Sequence, residues 1–441
     1  MTKETPTKIQ TSRRNFLRGA GAVTGSAAML AGLNSTASAQ EGDPIIIGCP
    51  APLTGIVAAD GIEFRNGLEM AAEEINQAGG ILGRPVELVF VDTESKGDDV
   101  VIQAAQRLVD RNNVSAIITG YNLETGTAIH DIAADAGILY LHAMTVAVHD
   151  ELVKSDPDRF WGTFQIDPPE TMYGDGFLKY LGQIEEKGEF KRPNNKLAII
   201  NGPGTYSGNI ANAINEGASE YGYEISLFDT VKVPVTDWGP TLAKLRADPP
   251  AVIAITHFYP QDQAQFMNQF MADPTDSLVY LQYGASLAAF RDIAGENSVG
   301  TIYATVIGAL QDDIGNAFSS AYKAKFGDNS SPNSGGQTYQ ALHAYAVAAA
   351  LAGGPGAPYD EDQNRAVAER MHSLIYRGPM GTLRIHAETQ SAASYPNETN
   401  DPSLGMPHVF SQIHDPAKEG VLIAPAPYDK SPFQTPPWMK S

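Results

Sequence analysis

The chain has a single cysteine, Cys49, among 441 residues, so no disulfide can form within it. Basic residues are also scarce. Thirty Lys and Arg stand against 51 Asp and Glu, a formal net charge of −21. Such a chain repels nucleic acid and anionic lipid, which argues against nucleic-acid partners. Beyond the N-terminal region, no stretch approaches the roughly 20 apolar residues of a membrane span. The short signatures of common enzyme chemistry are missing as well: there is no P-loop, no G-x-S-x-G and no H-E-x-x-H. The nine histidines show no metal-ligand spacing, and His142, His257 and His408 each read as solitary. No catalytic residue, metal or cofactor is indicated, and the expectation is a protein that is not an enzyme.

The N-terminus has its own pattern. Ser12-Arg13-Arg14-Asn15-Phe16-Leu17 is a twin-arginine motif, followed by a Gly/Ala-rich stretch to about residue 33 and by Ala37-Ser38-Ala39. A charged start, a modest apolar middle and a small-residue exit describe a removable export signal over residues 1–39, cleaved after Ala39. The twin-arginine export machinery is then a partner and the periplasm the destination. The run Gly19-Ala20-Gly21-Ala22-Val23-Thr24-Gly25 imitates a dinucleotide fingerprint, but no strand precedes it. Cys49 lies beyond the cleavage site in an apolar run and reads as a buried strand residue.

The remaining roughly 400 residues exceed what one core holds, so two domains are expected. Strand and helix alternate along them. Strands are expected at 45–50, 86–91, 115–119 and 138–142, with helices between; Phe64, Leu68, Ala71 and Ile75 recur at helical spacing. After a break at 155–158 the rhythm resumes with strands at 196–201, 224–229, 251–256 and 278–282. Further elements are expected at 300–306 (strand), 312–326, 338–351 and 366–376 (helices), with a terminal hairpin from 381–385 and 405–413. The proline-rich segment 426–441 reads as irregular. Near-continuously apolar strands separated by helices imply an α/β fold of two doubly wound open sheets, parallel and covered on both faces.

In such sheets guests bind beyond the carboxyl ends of the strands. Those ends carry polar, aromatic and small residues at 52–60, 120–125, 142–145, 201–206, 257–259 and 282–286. Each following helix presents free N–H groups and a positive dipole end, which suit a carboxylate or amide oxygen without a phosphate loop. Two such units facing each other make a cleft for a small polar molecule.

Several stretches resemble a known family: IIIGCPAPLTG, AAEEINQAGGILGRPVELVFVDTES, ADAGILYLHAMT, NKLAIINGPGTYSGN, TLAKLRADPPAVIAITHFYPQD and RDIAGENSVGTIY. They resemble periplasmic substrate-binding proteins of the leucine/isoleucine/valine type, which serve ABC transporters. The resemblance spans about residues 43–350. It implies the type I periplasmic binding protein fold, two lobes joined by three hinge crossings that close on a ligand. Lobe 1 would take 43–163 and about 288–355; lobe 2 would take 164–287 and about 360–425. It further implies an extracytoplasmic solute-binding component of an ABC importer whose partners are a small-molecule ligand and the permease subunits in the inner membrane. A ligand-sensing module for a membrane signalling partner and, more remotely, an exported amidohydrolase are alternatives.

The resemblance also carries site residues. The loop after the third strand would bind a carboxylate, here Tyr121, Asn122, Glu124 and Thr125; the next loop maps to Ala143, Met144 and Thr145. The second lobe would contribute Tyr206, His257, Phe258 and the pair Gln282 and Tyr283, and the first-loop aromatic of the family falls near Asp60. The acid that pairs with an amino-acid ammonium group would fall near Tyr283, where no acid stands. An unpaired buried charge is costly. Either Asp60 or Glu124 substitutes, or the guest is an amide, a urea-like compound or a small carboxylate.

Overall fold

The structure, a computed structural model, describes residues 42–123, 126–305 and 308–440. The twin-arginine motif, the cleavage site, Glu124 and Thr125 lie outside the described residues.

The first lobe opens with β1 (Ile45–Ala51), α1 (Ala58–Gln77), β2 (Val86–Asp92), α2 (Asp98–Asn112), β3 (Ala116–Thr119), α3 (His130–Ala136), β4 (Leu139–His142), α4 (Ala147–Ser155) and β5 (Thr163–Gln165). Its sheet has the order β2-β1-β3-β4-β5, all parallel. β1, β3 and β4 are almost wholly buried because helices cover both faces. Cys49 is part of that core, and burial pushes its thiol up to about 12.

The second lobe repeats the winding. It contains α5 (Thr171–Glu186), β6 (Lys196–Asn201), α6 (Thr205–Gly217), β7 (Glu224–Thr230), α7 (Gly239–Ala247), β8 (Val252–Ile255), α8 (Pro260–Phe270), β9 (Leu278–Gln282), α9 (Ala288–Ala294) and β10 (Ile302–Thr305). Strands β7-β6-β8-β9-β10 are parallel in the same spatial order as the first sheet. In both lobes the order reverses beside the first strand, the place where a crevice opens at the carboxyl ends.

The rest of the chain is shared between lobes. α10 (Asp313–Phe326), α11 (Pro332–Leu351) and α12 (Glu361–Ser373) are followed by β11 (Ile375–Gly378), β12 (Gly381–Arg384), β13 (Ser394–Tyr395), β14 (Met406–Pro407), β15 (Val409–Gln412) and β16 (Val421–Ala424). α11 lies along α1. At their crossing a Cβ on Gly67 would sit 2.0 Å from the Gly335 carbonyl oxygen, so only glycine lets the two backbones approach this closely. β15 and β16 extend the second sheet antiparallel beyond β10.

This arrangement corrects the expected lobe boundaries. The chain first crosses after β5, at 166–170. Residues 288–305 belong to the second lobe, because β10 pairs with β9. Residues 360–373 belong with the first: Asn364 Nδ2 donates to the Gly137 carbonyl at 2.8 Å, and Tyr359 N to the Ala136 carbonyl at 2.6 Å. The expected terminal hairpin is also redistributed. β12 pairs with β11, while β15 joins the second sheet. The proline-rich tail has no helix or strand among its described residues, yet it is pinned. Trp438 Nε1 donates to the Ser277 carbonyl at 2.9 Å.

Candidate functional site

A cavity of about 440 Å³ lies between the lobes at the carboxyl ends of both sheets. From the first lobe it is lined by Tyr121, Asn122 and Leu123 after β3, and by Ala143, Met144, Thr145 and Val146 after β4. From the second come Tyr173 on α5, residues 203–206 at the start of α6, Phe258 and Tyr259 after β8, and Tyr283 after β9. Six of these residues are aromatic. Their rings meet at steep angles: Tyr206 and Phe258 have centroids 5.2 Å apart at 80°, Phe258 and Tyr259 4.8 Å at 70°, and Tyr173 and Tyr206 6.0 Å at 74°. Edge-to-face pairs of this kind hold each ring rigidly in place.

Of the expected residues, Tyr121, Asn122, Ala143, Met144, Thr145, Tyr206, Phe258 and Tyr283 line the cavity. Asp60, His257 and Gln282 do not; they are buried behind it and hold the lining. Asp60, in the first turn of α1, accepts hydrogen bonds from Tyr121 Oη at 2.5 Å, Tyr283 Oη at 3.0 Å and Ser334 Oγ at 2.8 Å. Burial pushes its carboxyl above the usual range, and these three donors pull it back. Since Tyr283 comes from the second lobe, its bond to Asp60 ties the lobes together. Tyr283 has φ +53° and ψ −58°, a strained backbone for a bulky residue and one that aims the ring into the cleft. Gln282 donates to Tyr206 Oη at 3.0 Å, and His257 Nε2 pairs with Asp262 Oδ2 at 2.8 Å.

The loop after β4 is held from behind in the same way. Thr145, with φ +57°, donates its hydroxyl to Asp167 Oδ2 at 2.5 Å. The amide of Ala143 donates to the Gly120 carbonyl, that of Met144 to His142 Nδ1, that of Val146 to Gln165 Oε1 and that of Ala147 to Glu170. The Asn122 side chain is occupied too, accepting from Thr93 Oγ1 at 2.7 Å and donating to the Pro50 carbonyl at 3.2 Å. Asp167 and Glu170 sit in the first crossing. Burial raises the Asp167 carboxyl to about 8 and pushes Glu170 upward.

Tyr173 is the residue that sequence reading missed outright. It projects from α5, which was not anticipated, although Tyr173, Phe177, Leu181 and Ile184 recur at helical spacing and are all buried. Leu123, Pro203, Gly204, Thr205 and Tyr259 stand within the strand-end segments that were anticipated, and Val146 immediately follows one.

The histidines need a correction. His142 is not solitary: His149 Nδ1 lies 3.0 Å from both His142 Nε2 and His130 Nε2, all three fully buried. Elements α3, β4 and α4 bring together residues that the sequence separates. Among the described residues this is the set whose nitrogens are close enough to hold a metal. One nitrogen of His149 is shared between the other two rings. Burial keeps all three neutral, His130 lowered to about 4. His257 likewise pairs with Asp262, while His408 lies against Tyr173 and Phe410.

The profile of the periplasmic binding protein family matches residues 44–395. The chain is 26% identical to Leu/Ile/Val-binding protein homolog 3 of Brucella melitensis over 364 residues, covering 81% of this chain and 91% of the relative. It is 24% identical to the leucine-, isoleucine-, valine-, threonine- and alanine-binding protein of Pseudomonas aeruginosa, over 77% of this chain and 85% of that one. A crystal structure of a putative branched-chain amino acid ABC transporter from Silicibacter pomeroyi is 75% identical, with a TM-score of 0.87 over 90% of this chain and all of that one. The substrate-binding protein LivJ of Streptococcus pneumoniae, solved with isoleucine, shares the fold with a TM-score of 0.68 at 20% identity, over 86% of this chain and 99% of that one.

Proposed function

The chain belongs to the periplasmic binding protein family, and from that premise we propose that it captures a small ligand between its two lobes and presents it to the permease subunits of an ABC importer. The observation that carries this reading is the cavity of about 440 Å³ walled by strand ends of both lobes. Closure around a guest desolvates it and completes its contacts. In this reading the guest is released unchanged. The relatives' names point to amino-acid cargo, and the lining supports a small guest with an apolar surface. The same proposal includes export by the twin-arginine route, with Gln40 as the first residue of the periplasmic form.

Thermal shift against amino acids, amides, ureas, small carboxylates and ammonium compounds tests the binding role. A ligand at 100 times its Kd stabilises by about 2.7 kcal/mol and raises Tm accordingly. Silence across all of these classes would overturn the reading. N-terminal sequencing of the exported protein checks the route; an intact Met1 on protein recovered from the periplasm would refute it.

A further inference from the structure

The proposed receptor site has an unusual balance of chemistry, and this inference rests on that reading of the cleft. The six rings of Tyr121, Tyr173, Tyr206, Phe258, Tyr259 and Tyr283 face one space from both lobes. Among the described lining residues there is no Lys, Arg or His to meet a carboxylate, and no Asp or Glu to accept from an N–H. Thr145 and the amides beside it are bonded to the protein's own groups, and so is the Asn122 side chain. The hydroxyls of Tyr121 and Tyr283 turn to Asp60, while both residues line the cavity.

Asp60 supplies the missing sign of charge. Both of its oxygens accept hydrogen bonds, the arrangement of a carboxylate, and among the described residues no cationic side chain bonds to it. It is only 4% exposed and one phenol away from the cavity. A phenol that donates to a carboxylate has a more electron-rich ring, and a ring face attracts a cation within about 6 Å of its centroid. Among the described lining side chains a primary ammonium finds no carboxylate and a carboxylate finds no cation. A methylated ammonium group needs neither, because its charge is spread over an apolar surface that rings can cover.

We propose that the guest of this cleft carries a methylated ammonium group, held by the aromatic box and balanced by Asp60 behind Tyr121 and Tyr283.

Isothermal titration of the mature protein tests this with choline, glycine betaine and tetramethylammonium, and with 3,3-dimethyl-1-butanol as the neutral carbon copy of choline. At least one cation is expected to bind saturably. For choline, the cation should outbind the neutral copy by about tenfold or more. Tyr206→Phe keeps the ring and should hold affinity within about threefold, whereas Tyr206→Leu keeps apolar bulk and should lose about tenfold. Asp60→Asn should weaken cation binding by about tenfold more than it weakens binding of the neutral copy. A neutral copy that binds as well as choline overturns the proposal, as does Tyr206→Leu matching Tyr206→Phe. If leucine or an amide saturates the cleft while all three cations are silent, the receptor reading stands and this inference falls. If no compound of any class binds, both fall.

Discussion

Single residues in this cleft owe their roles to what stands behind them. Asp167 accepts from Thr145 in the first crossing, and its other oxygen has no hydrogen-bond partner. Burial raises its folded pKa to about 8, well above the value near 3.9 of an unfolded chain. The folded state therefore holds its proton more tightly. The associated stability is fully present below pH 4 and is lost as pH rises toward 8. Asp167→Asn removes that titration. Relative to the native protein, the variant should gain roughly 2–4 kcal/mol between pH 5 and pH 9, at about 1.4 kcal/mol per pKa unit. Urea denaturation at the two pH values measures it; parallel pH profiles for variant and native protein would show that Asp167 is ionised throughout. The sequence placed Thr145 in the site, but it could not reveal that the hydroxyl is committed to Asp167. Hydrogen-bond direction depends on a partner 22 residues away.

At the scale of elements, regular periodicity was legible and irregular breaks were not. The apolar runs of β1, β3, β6, β8 and β9 announce themselves because both faces of each strand are covered. β5 is three residues long, too short for a pattern, and so the first crossing was placed within rather than after it. α11 begins six residues earlier than its alanine-rich stretch suggests. Ser331 caps it, accepting from the Ser334 amide, with Pro332 in the first turn. That extra turn carries Ser334 to Asp60 and Gly335 to Gly67, so the start of α11 joins site and core. β10 and α12 were exchanged between lobes for a different reason. A strand's sequence states that it is buried, not which sheet buries it.

For the whole molecule, the consequence is a pair of lobes touching through few polar groups. Tyr283 donates to Asp60 across the cleft, and Asn209 of α6 donates to Glu170 in the crossing at 2.7 Å. A hydrogen bond to a charged group contributes about 1.5–3 kcal/mol, enough to shift a closed–open equilibrium by one to two orders of magnitude. Tyr283→Phe keeps the ring and removes the tie. Without ligand, its radius of gyration in small-angle scattering should exceed that of the native protein, and a binding ligand should restore the compact form. An unchanged radius would mean that packing along the crossings, not this bond, keeps the lobes together.

The sequence alone determined the α/β alternation, the doubling of the unit, the strand ends that face the cleft and the family, because each is written in local periodicity or in contiguous motifs. Tertiary structure decided which lobe owns β10 and α12, how three separated histidines meet, and that Asp60 lies beneath two tyrosines from opposite lobes. Those facts depend on pairings between residues tens to hundreds of positions apart, where the folded chain, and not local spacing, brings donor to acceptor.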